Sequence, residues 1–93
     1  MEEPDADAIA AAALGVSGVV ALHGGAALEF AAYLPGRRVA GVRLPGDRVE
    51  VHVVARYGDV LPTVAQSVLA AVAPVCGSLP VEVYIDELEP ADA

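Results

Sequence analysis

The clearest pattern along the chain is a strict alternation at residues 48–57. Val49, Val51, Val53, Ala55 and Tyr57 fall on one face and Glu50, His52, Val54 and Arg56 on the other, which predicts a half-buried strand. Residues 39–44 form the other arm of a hairpin with it through Pro45-Gly46-Asp47, where proline sets φ and glycine is free to take a positive φ. Residues 81–88 alternate again, with Val81, Val83 and Ile85 inward and Glu82, Tyr84 and Asp86 outward. Between these strands the period lengthens. Leu61, Val64, Val68, Val72 and Val75 recur at steps of three and four, the apolar stripe of an amphipathic helix. Asp59 is placed to cap it, Pro62 is tolerated in its first turn, and Pro74 and Gly77 end it.

The first third of the chain has weaker signals. Residues 8–14 read as an alanine-rich helix capped by Asp5 or Asp7, with Ile9, Ala13 and Val16 as a narrow stripe and Gly15 and Gly18 as its end. Residues 19–22 are short and β-branched and stop at Gly24-Gly25, as a brief strand would. Residues 27–34 suit helix or strand by composition, and their alternation favours a strand that ends at a Pro35-Gly36 turn. The order helix, strands, helix, strand predicts an α+β fold, a two-layer sandwich in which a small mixed or antiparallel sheet carries two helices on one face and leaves the other partly polar. Residues 8–88 make up this single domain, between an acidic N-terminal segment at residues 1–7 and an acidic tail at residues 89–93.

Composition narrows the possibilities. With 93 residues, 56% of them hydrophobic, the chain has room for one modest core and is too apolar for a disordered acidic protein. A net charge of −8 argues against a protein that coats DNA or binds anionic lipid by its own cationic surface. Residues 8–28 carry no formal charge, which raises a membrane span. Alanine and glycine dominate that run, however, and no arginine flanks it, so a core helix followed by a strand is the expectation. The acidic residues 1–7 stand where a secretory signal would need positive charge.

Candidate chemistry is sparse. A single cysteine, Cys76, excludes an internal disulfide framework, and its place at the end of the helical stripe suits a buried, inert thiol. Cys76, His23 and His52 are too few and too scattered for a zinc site, so no metal or cofactor is expected. Neither histidine has a triad partner at a telling spacing, and a surface or hydrogen-bonded histidine is the plainer reading of each. No catalytic residue emerges, and the expectation is a protein that is not an enzyme. Gly15-Val16-Ser17-Gly18 spells the GxxG of a KH loop, but no cation flanks it and a helix terminus accounts for it.

Charge position says more than net charge. Residues 37–56 hold all five basic residues, Arg37, Arg38, Arg43, Arg48 and Arg56, against Asp47 and Glu50, a local charge of +3. Seven of the thirteen acids lie at the two ends: Glu2, Glu3, Asp5, Asp7, Glu87, Glu89 and Asp92. Two readings stand for the arginines: a solvated hairpin that resists edge-to-edge pairing, or a contact surface for an acidic partner or a second copy. On the second reading the interaction surface comprises Arg37, Arg38, Arg43, Glu50, His52, Arg56, Tyr84 and Asp86. A small nucleic-acid-binding module built on the same arginines is the alternative, and the overall acidity argues against it.

The run Tyr57-Gly58-Asp59-Val60-Leu61-Pro62-Thr63-Val64-Ala65 follows the alternating strand and precedes the valine-striped helix and the segment Leu79-Pro80-Val81-Glu82-Val83-Tyr84-Ile85. In that order it resembles the alkaline shock protein (Gls-type envelope stress response) family. Gly15-Val16-Ser17-Gly18-Val19 is similar to that family's early helix end, and Tyr33-Leu34-Pro35-Gly36-Arg37-Arg38 resembles its short members from high-G+C Gram-positive bacteria. The resemblance implies a non-enzymatic cytoplasmic protein of envelope homeostasis. Such a protein is brought to the inner face of the membrane by a membrane-anchored partner and associates with its own copies or with paralogous family members. The chain lacks the extended lysine- and glutamate-rich helices of longer members, and the family supplies no catalytic residues.

Overall fold

The computed structural model describes residues 4–90. The acids Glu2, Glu3 and Asp92 lie outside the described residues. Helix α1 spans Ala6–Leu14, with Asp5 as its N-cap: the Asp5 carboxylate accepts from the backbone N–H groups of Asp7 and Ala8. The helix thus begins within the acidic segment, and Ala6 is buried in the core. Strand β1, Val19–Leu22, follows the expected span. Strands β2 (Ala31–Leu34) and β3 (Arg37–Ala40) form a separate hairpin across Pro35-Gly36. Strands β4 (Val42–Arg43) and β5 (Val49–Arg56), helix α2 (Leu61–Val72) with a 3₁₀ turn over Ala73–Val75, and β6 (Val81–Glu89) complete the order.

Strand β5 is the centre of the main sheet. Along one edge β1 pairs with its C-terminal half and β4 with its N-terminal half, both antiparallel. Along the other edge β6 runs parallel to it, so the chain must cross over between them, and α2 is that crossover. Val49, Val51, Val53 and Ala55 of β5 join Ile9 and Ala13 of α1 and Val64, Val68 and Val72 of α2 in a single buried cluster. The architecture is α+β, with a mixed sheet and a small antiparallel hairpin. No helix among the described residues is long and apolar enough to cross a membrane, since residues 8–28 divide into α1, a turn, β1 and the start of a loop.

Four local expectations change. The expected strand at 27–34 exists only as Ala31–Leu34. Before it the chain turns, with Leu28 at a positive φ of 58° and the Tyr33 hydroxyl donating to the Leu28 carbonyl. The expected arm at 39–44 divides at Gly41, so Val39 and Ala40 pair with β2 and only Val42 and Arg43 pair with β5. Asp59 does not cap α2. Val60 occupies the N-cap with no side-chain bond, and the Asp59 carboxylate lies 3.6 Å from Arg56 instead. Val75 leaves the apolar stripe because the tighter 3₁₀ turn rotates the chain, so Val75 is exposed and Cys76 is buried.

Candidate functional site

Alternation along β5 puts Glu50 and His52 on the face away from the valine core, as expected. Their surroundings are not those of a half-buried strand: Glu50 is 6% exposed and His52 4% exposed. The imidazole of His52 is stacked between Phe30, with ring centroids 4.0 Å apart, and Tyr84, at 4.6 Å. Its Nδ1 lies 2.7 Å from Asp86 Oδ2 and its Nε2 3.3 Å from Glu50 Oε1. A neutral imidazole carries one N–H and can donate to only one of these carboxylates, whereas an imidazolium donates to both.

A bulge aims Asp86 at the histidines. Val53 pairs with Ile85 and Val54 with Glu87, which leaves Asp86 as the extra residue of β6 without a partner on β5. Its Oδ2 also lies 3.3 Å from His23 Nδ1, and His23 Nε2 is 3.7 Å from Glu87. His23 is carried there by the ladder beyond β1, where its backbone N–H donates to the His52 carbonyl.

The Glu50 carboxylate is shared. Its Oε2 accepts from Arg43 Nη1 at 3.0 Å and from Arg48 Nη2 at 2.9 Å. Burial pushes the Glu50 pKa up, but hydrogen bonds from His52, Arg43 and Arg48 outweigh it and hold the carboxyl below the ordinary glutamate value of 4.5. The unfolded chain therefore takes up this proton more readily than the folded protein. Stability from Glu50 is complete above the ordinary glutamate value and is lost as pH falls through the lower native one. Urea midpoints measured from neutral pH down to about pH 3 are expected to fall with acid, and to fall less steeply in Glu50→Gln. Equal slopes in the two proteins would show that Glu50 is not the group responsible.

Of the eight surface residues expected from sequence, Arg43, Glu50, His52, Tyr84 and Asp86 are brought together here. Arg37 is not among them. Its guanidinium grips Asp7 of α1 through two bonds of 2.9 and 2.7 Å, and Asp7 is held below its ordinary pKa by that contact. Arg38 is exposed on the hairpin and has no ion-pair partner among the described residues. Arg56 pairs with Asp59 at the far end of β5. Three contributors lie outside those eight: Phe30, His23 and Arg48. The sequence signal for Phe30 is that it is the sole phenylalanine, five residues after the Gly24-Gly25 pair.

Every buried side-chain nitrogen and oxygen among the described residues has a partner. The cluster is thus a polar lock that ties β4, β5, β6 and the Phe30 loop together, with its buried polar atoms paired within the chain. Cys76, the one thiol, sits in the apolar cluster on the other side of the sheet, and burial raises its pKa. Among the described residues no group of histidine, cysteine and acidic side chains is arranged to hold a metal ion. Compared with protein-family models, curated proteins and solved structures, the chain matches none.

Proposed function

We propose that this protein is a non-enzymatic interaction module of the envelope-stress kind that the alkaline shock resemblance implies, cytoplasmic and recruited to the inner face of the membrane by a membrane-anchored protein partner. The observation that supports it is the apolar surface at one end of the sheet. Tyr57 is 61% exposed and Val60 67% exposed on either side of the turn into α2, and Leu88, also exposed, stands beside Glu89, whose carbonyl accepts from the Tyr57 N–H. Large side chains left in water together are a feature of contact surfaces, where tyrosine supplies much area at little entropic cost. The arginine hairpin lends less. Four of its five arginines already hold carboxylates of this chain, which weakens both the acidic-partner and the nucleic-acid readings.

Fractionation of the native host tests this reading. The wild-type protein is expected in the membrane fraction, crosslinked to an integral membrane protein, and Tyr57→Asp with Val60→Asp is expected to return it to the soluble fraction without loss of its circular dichroism. A wild-type protein found entirely in the soluble fraction, or a variant distributed as wild type, would overturn it.

A further inference from the structure

Strand β6 is nine residues long and bonded along one side only. Among the described residues no strand pairs with its outer edge. The Val49 N–H donates to the Pro80 carbonyl, and the alternation of a parallel ladder then turns the Glu82 and Tyr84 amides toward β5 and those of Val81, Val83 and Ile85 outward. A row of outward N–H and C=O groups is a template for another strand. The side chains beside that row are acidic. β6 carries Glu82, Asp86, Glu87 and Glu89 and no cation. Glu82 is 3.3 Å from Arg48 and Asp86 is taken by the histidines. Glu87 has only the long contact to His23, and Glu89 has no ion-pair partner among the described residues.

We propose that the outer edge of β6 receives an extended, arginine- or lysine-bearing segment of another protein as an added strand. Its main-chain groups bond to Val81, Val83 and Ile85, and its cations stand against Glu87 and Glu89. Opposite charges across a strand pair favour this occupant. A second copy of β6 would instead bring four more carboxylates to the same seam, so the acidic edge rejects self-pairing while it admits a basic strand. The proposal deepens the interaction-module reading and rests on it.

The probe is a blocked nine-residue peptide alternating arginine and valine, with a glutamate–valine peptide as control, added to ¹⁵N-labelled full-length protein. The arginine peptide is expected to shift the amides of Val81, Val83 and Ile85 and to slow their exchange with solvent, more weakly as salt rises. Glu87→Lys with Glu89→Lys is expected to weaken binding about tenfold, since two exposed charge pairs are lost and replaced by repulsion. Val83→Pro, which removes an outward donor and leaves the bonds to β5, is expected to weaken it as well. No binding, equal binding of the glutamate peptide, or a dimer formed through β6 would overturn the proposal. Peptide shifts confined to Tyr57 and Val60 would also overturn the edge site, while leaving the interaction-module reading in place.

Discussion

Gly41→Ala is expected to cost about 3 kcal/mol of folding stability, a large share of the roughly 5–14 kcal/mol available to a domain of this size. Two effects add. Gly41 holds a φ of +84°, a region that costs an L-residue about 1 kcal/mol. A Cβ there would also stand 2.6 Å from the Leu22 Cβ and 2.9 Å from the His52 carbonyl oxygen, both carried on sheet backbone that cannot yield cheaply. Such overpacking adds about 1–3 kcal/mol. The close approach is required because Gly41 is bonded on both sides: its N–H donates to the Phe30 carbonyl at 2.7 Å, and its carbonyl accepts from the His52 N–H at 2.8 Å. Gly36→Ala is the control. Gly36 also has a positive φ, of 78°, but nothing lies within 4 Å of its would-be Cβ, so only the backbone cost of about 1 kcal/mol is expected. Urea unfolding followed by circular dichroism separates the two. Equal losses at both positions would show that the contact with β1 and β5 is not what demands glycine.

His52→Ala is expected to cost about 3 kcal/mol, measured in the same way. The substitution empties the slot between Phe30 and Tyr84 and withdraws the donor that stands between Asp86 and Glu50. The two contributions can be told apart with His52→Phe, which keeps an aromatic ring in the stack but offers no donor. Leaving these carboxylates without it is expected to cost about 1–3 kcal/mol. A loss under about 0.5 kcal/mol for the alanine variant, the range of an ordinary surface change, would contradict the picture of a buried lock.

The elements that read correctly from sequence are those whose signal lies within one turn or one pleat. Asp5 caps α1 because its carboxylate reaches N–H groups two and three residues away. Val64, Val68 and Val72 mark the buried side of α2, and the parity of β5 and β6 places Glu50, His52, Tyr84 and Asp86 on a common face. Errors arise where another contact, near or distant along the chain, competes with a local preference. Asp59 is a good cap in isolation, yet in the fold its carboxylate lies against Arg56 and close to Gly18. Residues 39–44 look like one arm because nothing nearby marks Gly41 as a division. That division follows from bonds to Phe30 and His52, each eleven residues away.

The +3 hairpin changes most between sequence and structure. Read along the chain it is a cationic surface, but in three dimensions Arg43 and Arg48 turn onto Glu50 and Arg37 reaches Asp7 of α1. The sequence by itself determined the class of fold, the places of both helices and the face on which the charged residues of β5, and of β6 as far as Asp86, stand, since periodicity is a local property of the backbone. Only the tertiary structure decided that β6 lies parallel to β5, that a bulge points Asp86 at two histidines and that Phe30 closes over His52. Those outcomes depend on pairings between segments far apart in sequence, which alternation leaves open. They convert an outward, apparently wet histidine into the buried centre of the molecule's polar face.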